Sequence, residues 1–311
     1  MIIPYQKYQF VLKALETIEL PLYKGSTFRG GFGNAFKKVV CVFRRKQCSE
    51  CLINRECAYS YIFETPQPGT ASFFPNEKYE AVPHPFILEP PLTNQKIFEA
   101  GTELTFTLIL IGKAIKYLPF FVMSFEYLGE IGIGKGRGKY ELAKITMEGI
   151  NIYEATHRAL TPGEPKLIEI PDKPDFDSNE EHLAIEFLTP TRLKHQRKFV
   201  SKLEFFILIT NLLRRIALLN FYHHNHTKPG WNHKELIEKA RSVALQKDEM
   251  NWIDWERYSH RQKTRLKLGG LVGKVEYKGR IDAFKSLLKA GEIFHVGKGT
   301  SFGLGQYKII S

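Results

Sequence analysis

Apolar positions along the 311-residue chain change period several times, and each change marks an element. YQFVLKALETIEL, from Tyr8, alternates apolar and polar residues and predicts a half-buried strand. After a loop carrying Lys24, FRGGFGNAFKKVV from Phe28 predicts a helix, and FILEPP from Phe86 and TELTFTLILIG from Thr102 predict strands. Residues 118–145, LPFFVMSFEYLGEIGIGKGRGKYELAKI, read as a helix, a glycine stop at Gly129, a glycine-rich turn and a strand. The second half repeats this order. HLAIEFLTPTRL from His182 reads as a strand, KLEFFILITNLLRRIALLNFY from Lys202 as a helix and GGLVGKVEYKG from Gly269 as a strand. Residues 281–310, IDAFKSLLKAGEIFHVGKGTSFGLGQYKII, close it as helix, glycine-rich turn and strand.

The two closing segments share Gly-Glu-Ile at the helix end, then Gly-Lys-Gly, then a strand with a tyrosine near its start. Two copies of one βαββαβ plan make the expected fold α+β, a tandem ferredoxin-like architecture. The expected organisation is an N-terminal domain over residues 1–150, a proline-containing, acid-rich linker over 151–180, and a C-terminal domain over 181–311.

Charge sharpens this picture. The net charge of +12 arises from 45 basic and 33 acidic residues, and residues 192–280 hold 20 of the basic and 8 of the acidic ones, which accounts for the whole surplus. Such localisation points to a polyanion, nucleic acid before membrane. The most apolar run, FFILITNLL from Phe205, is interrupted after nine residues by Arg214 and Arg215, too short for a span. MIIPYQKYQF lacks a continuous apolar core and a cleavage site, so a cytoplasmic protein without a membrane partner is expected.

All four cysteines, Cys41, Cys48, Cys51 and Cys57, fall in one short segment spaced C-x6-C-x2-C-x5-C. A C-x2-C pair turns two sulfurs toward one point, and two flanking thiolates complete a tetrahedral shell. A structural zinc in a knuckle inserted at residues 41–57 is the first expectation, an iron–sulfur cluster the second and disulfides the third. Four thiolates leave no open position for substrate, so no catalytic metal is expected.

SHRQKTRLKLGG places Arg261, Lys263, Arg265 and Lys267 at two-residue spacing, one face of a strand suited to a phosphate backbone. The two glycine-rich turns add Lys135, Arg137 and Lys298, with Gly297, Gly299, Gly303 and Gly305 bringing backbone N–H groups toward phosphate oxygens. GGFG at 30–33 lacks the spacing of a dinucleotide fingerprint and instead suits close helix packing.

With LPLYKGSTFRGGFGNAFKKVVC, the cysteine cluster, PHPFILEPP, RYSHRQ followed by LGGLVG, and HVGKGTSFGLG, the chain resembles the CRISPR-associated repeat-processing endoribonucleases, family six of the Cas proteins in the RAMP superfamily, in a zinc-knuckle branch. The resemblance spans nearly the whole chain. It implies binding of CRISPR repeat RNA and one metal-independent cut per repeat, the 2′-hydroxyl attacking the adjacent phosphorus to leave a 2′,3′-cyclic phosphate and a 5′-hydroxyl. Association with effector-complex subunits is a further implication, and monomer and homodimer both remain open. Many members carry a catalytic histidine near the first helix, whereas this chain has none before His84, and Tyr23, Lys24 and Arg29 occupy that region. His223, in the HHNH group with His224 and His226, matches a histidine of this branch and leads as catalyst, followed by His295 beside the glycine-rich turn, with Tyr23 and Lys24 orienting phosphate and Arg29 contacting RNA. His84, between two prolines, reads as structural, and the HHNH group is not a metal triad. The rival reading is a non-catalytic RAMP subunit that holds guide RNA.

Overall fold

Strand β1 (Ile2–Ala14) alternates buried and outward positions over most of its length, as its sequence demands. Helix α1 (Gly25–Val40), strands β2 (Phe86–Glu89) and β3 (Glu103–Ile111), helix α2 (Leu118–Ile131) and strand β4 (Tyr140–Met147) follow. The computed structural model describes residues 1–43, 47–65, 73, 82–176, 179–254, 256–259, 264–267 and 269–310. The strands pair antiparallel in the order β2-β3-β1-β4, the order of a ferredoxin-like unit. Its apolar face packs under α1 and α2 as a core rich in phenylalanine, including Phe10, Phe28, Phe32, Phe36, Phe86, Phe106, Phe121 and Phe125. Residues 150–154 add a further strand beside β4, and Lys166–Glu169 forms another.

The chain divides into two compact units: an N-terminal unit of Pro4–Leu167 with Tyr222–His224, and a C-terminal unit of Met1–Ile3, Ile168–Phe221 and Asn225–Ser311. The C-terminal unit contains β5 (Glu181–Thr191), α3 (Phe205–Asn220), α4 (His233–Arg241), β6 (Ala244–Ile253), β7 (Gly270–Gly279), α5 (Lys285–Phe294) and β8 (Tyr307–Ile309). Its sheet runs β6-β7-β5-β8, the same order again. The fold is therefore tandem ferredoxin-like. Phe205–Asn225 is long and apolar enough to cross a membrane, but most of it is buried, the position of a core helix. Arg215, buried in α3, donates Nε–H to the carbonyls of Phe294 (2.8 Å) and His295 (3.1 Å) at the end of α5. A cation at a helix C-terminus matches its dipole.

The helix stop expected at Gly129 lies elsewhere. Helix α2 runs through Gly129 to Ile131 and ends at Gly132, whose φ of +77° suits glycine. Gly129 instead makes room for β4: a Cβ there would overlap the Tyr140 carbonyl, while the Tyr140 hydroxyl donates to Phe125 O at 2.8 Å. The second copy uses the same device. A Cβ on Gly291 would overlap the Tyr307 hydroxyl, which donates to Leu288 O at 2.6 Å. This pair of glycine–tyrosine contacts explains why both closing segments carry the glycine and the tyrosine. Replacing Gly129 or Gly291 by alanine is expected to destabilise the protein by roughly 1–3 kcal/mol through overpacking, read as a lower midpoint in chemical denaturation. Gly30 provides the control, since a Cβ there meets nothing within 4 Å.

Candidate nucleic-acid interface

In the C-terminal unit the glycine-rich turn is tied up by its own backbone. Val296 N–H donates to Gly305 O (3.0 Å), Gly305 N–H to Pro190 O (3.2 Å), Phe302 N–H to Gly299 O (2.9 Å), Gly303 N–H to Thr300 O (2.8 Å) and Lys298 N–H to Arg192 O (3.2 Å). Gly297 and Gly305 have φ of +85° and +72°, and a Cβ at Gly305 would overlap the Val296 carbonyl. Gly303 and Gly305, expected at the RNA, are thus buried in the turn, while Gly297 and Gly299 are half-buried. What the turn presents is the exposed Lys298 side chain rather than a row of N–H groups.

Lys298 has company. Burial, then the charges of Lys194 and Arg192, pull its ammonium below the ordinary lysine value. Cations that disfavour one another's charge are relieved by a bound anion, so this cluster suits phosphate. Lys194 lies in a short hairpin, Lys194–His195 with Lys198–Phe199, missed by the sequence reading although KHQRKF concentrates cations around one aromatic residue. In the alternating stripe, Arg265 and Lys267 fall on strand Thr264–Lys267, which pairs with Glu256–Ser259. Arg261 and Lys263 lie outside the described residues.

The N-terminal unit carries the other glycine turn. There Lys135 pairs with Glu19 at 3.4 Å, its side chain 82% exposed, and Arg137 is exposed. So exposed a pair contributes little and leaves Lys135 available to a phosphate. The guanidinium of Arg29 stands 4.3 Å from the Phe63 ring centre and 5.2 Å from that of Phe86, half-buried. Lys24 is buried and donates Nζ–H to Leu22 O (3.2 Å) and Thr93 O (2.6 Å), bracing the turn into α1. Burial lowers its pKa and raises that of the neighbouring, equally enclosed Tyr23.

The histidines divide sharply. His223 sits on a π-helical turn, Phe221–Asn225, and is fully buried, with Nε2 2.7 Å from Pro83 O and Nδ1 3.2 Å from the Tyr61 hydroxyl. His295 ends α5 at φ +57°, also fully buried, with Nδ1 3.1 Å from Leu304 O. All four catalytic candidates read from the sequence, His223, His295, Tyr23 and Lys24, are therefore interior groups. His224 differs. It is half-buried beside the exposed Lys113, and burial followed by that positive charge lowers its pKa below the ordinary imidazole value.

The four cysteines line one small cavity together with Val42, Phe43, Ile53, Asn54, Tyr59 and Ser60. Local backbone turns bring them there: Cys41 N–H donates to Lys37 O at the end of α1 (3.0 Å), Cys51 N–H to Cys48 O (3.3 Å) and Asn54 N–H to Cys51 O (3.0 Å). Burial raises the Cys48 thiol, Lys37 acts against it, and Glu64, Cys41 and Cys57 add to the rise. The thiols share the cavity without converging, since among the described residues no three His, Cys, Asp or Glu side chains stand at metal-binding spacing. Four thiols around one cavity are the donor set of a thiolate-bound ion, although the side chains stand apart.

Residues 3–165 match the family AF_1859_N, an N-terminal domain, and residues 185–307 match the family described as CRISPR-associated endoribonuclease Cas6. An uncharacterized protein of Archaeoglobus fulgidus is 25% identical over 306 residues, 94% of this chain and 93% of that one. A product complex of Thermus thermophilus Cas6 superposes with a TM-score of 0.59 at 14% identity, covering 99% of this chain and 100% of that chain. A partial Cas6-RT-Cas1–Cas2 complex gives 0.57 at 12% identity, covering 99% of this chain and 46% of that one. At these identities the structural likeness is one of fold.

Proposed function

This chain belongs to the Cas6 family of CRISPR-associated endoribonucleases, its first half being an AF_1859_N domain, and from that premise we propose how it cuts CRISPR repeat RNA. The 2′-hydroxyl beside the scissile phosphate gives up its proton and attacks phosphorus, the bond to the 5′-oxygen breaks, and that oxygen takes a proton from water, so the products carry a 2′,3′-cyclic phosphate and a 5′-hydroxyl. No metal takes part in the chemistry. RNA supplies the nucleophile, so the protein supplies a proton acceptor and positive charge. His224, whose neutral form is favoured by burial and by Lys113, accepts the hydroxyl proton, and the Lys113 ammonium beside it offsets charge on the phosphorane. The observation that carries RNA binding is the Arg192, Lys194 and Lys298 cluster, which lies within the segment matched to the family. The protein works in the cytoplasm, alongside effector-complex subunits. Single-turnover cleavage of a repeat RNA should proceed in EDTA, stop with one 2′-deoxy nucleotide at the cut, and leave a cyclic phosphate. A 3′-hydroxyl with a 5′-phosphate would overturn the reading.

The cysteine knuckle belongs to the same reading as a structural zinc site held by Cys41, Cys48, Cys51 and Cys57, with an iron–sulfur cluster as the second choice. When bound, the ion ties together a segment with few apolar side chains of its own. Elemental analysis should find one zinc per chain, and visible absorbance would indicate the cluster instead. Prolonged chelation and Cys51→Ser should each lower the melting temperature, while brief EDTA treatment leaves cleavage intact. A metal-free protein with an unchanged melting temperature would refute the site.

A further inference from the structure

Two large aromatic side chains stand in the open beside the cationic cluster of the C-terminal unit: Phe199 is 40% exposed and Trp252 is 45% exposed. Their ring centres are 6.3 Å apart with planes inclined at 56°, forming a notch rather than a closed stack. The Arg192 guanidinium lies 4.6 Å and the Lys194 ammonium 5.1 Å from the centre of the Phe199 ring. Sheet register brings the elements together, with Trp252 opposite Leu271 and Leu271 opposite Thr191, the residue before Arg192. The indole is held in place, since its N–H donates to Asp254 Oδ1 at 3.0 Å. Gly269 keeps that contact open: a Cβ there would overlap Asp254 Oδ1 and approach Trp252 Nε1 to 2.8 Å.

Oriented, exposed rings beside cations match the two components of single-stranded RNA, a flat base and a phosphate. We propose that Phe199 and Trp252 form a base-stacking notch for an unpaired nucleotide of the RNA, with Arg192, Lys194 and Lys298 holding its flanking phosphates. The inference rests on the RNA-processing reading and adds to it the form of the substrate: the strand crossing this face is single-stranded and at least one of its bases is turned out. A partner protein on the same face would use the aromatic rings without requiring bases, and that is an outcome of the test.

The test uses the full chain and two fluorescein-labelled probes of equal charge, a twelve-residue oligouridylate and its abasic counterpart. The protein should prefer the base-bearing probe by about tenfold. Trp252→Leu and Phe199→Leu should each erase most of that preference, leave affinity for the abasic probe unchanged and keep the melting temperature. Trp252→Phe should restore it. Equal affinity for both probes, or leucine variants that bind oligouridylate like the parent, would overturn the notch and indicate that the face serves a protein. These results are independent of cutting. A base preference in the parent that the leucine variants lose, with no cleavage of any repeat RNA by the parent, would leave the notch standing and remove the nuclease mechanism, whereas normal cleavage by a parent with no base preference would do the reverse.

Discussion

Replacing His224 by alanine is expected to slow single-turnover cleavage by about 10²- to 10⁴-fold, the usual contribution of a positioned acid–base group, with RNA affinity nearly intact. His223→Ala should behave differently. Its ring bridges Pro83 O and the Tyr61 hydroxyl inside the N-terminal unit, so its loss should lower the melting temperature and reduce activity only as far as folding is impaired. The pH profile separates the roles further. A base must be neutral to accept a proton, and burial together with Lys113 favours the neutral form of His224. The rate should therefore be level at neutral pH and fall only below the ordinary imidazole pKa of about 6.5. Lys113→Gln removes the positive neighbour and should move that fall to higher pH, besides slowing the reaction. Full activity in His224→Ala would place the base elsewhere.

The alternation of β1, β3 and β5 and the duplicated closing segments made the tandem fold legible, because strands with one buried face write their pairing into the sequence. Strand β6 left no such trace. ALQKDEMNWI is an edge strand exposed along nearly its whole length, so nothing selects for alternation. The short helix α4 was hidden in the same way by its polar composition. Gly129 was legible as important, but its role depends on Tyr140, a partner that only the folded sheet identifies. The site was less legible than the fold. Residue type marked His223, His295, Tyr23 and Lys24 as chemically able, yet burial decides whether such a group meets RNA, and neighbours in sequence such as His223 and His224 receive opposite environments on one π-helical turn. Basic composition did mark residues 192–280, while the meeting of Lys194 with Lys298 required the turn after α5 to fold against the end of β5.

Phe32→Ala should produce the largest loss of stability, about 3–5 kcal/mol. Phe32 is fully buried and lies near parallel to two rings of α2, Phe121 at 4.8 Å and Phe125 at 5.1 Å, with interplanar angles of 18° and 11°. It also meets Phe36 edge-on at 5.3 Å, Phe86 at 5.6 Å and Phe63 at 5.5 Å. Truncation therefore leaves a cavity walled by rigid rings carried on four separate elements, which cannot close without moving the helices. Phe32→Leu retains more of the volume and should lose much less. Arg29, one turn earlier on α1, rests on two of the same rings, so the alanine variant should also weaken RNA binding at temperatures where the protein stays folded. Trp231 and Trp252 belong to the C-terminal unit, and the third tryptophan, Trp255, follows Trp252 closely in sequence, so tryptophan emission reports that unit while circular dichroism reports both. With a separate core in each unit, the denaturation midpoint seen by circular dichroism should fall and the tryptophan transition should stay near its original position. A wild-type midpoint by circular dichroism would show that the stacked rings are not what holds α1 to α2.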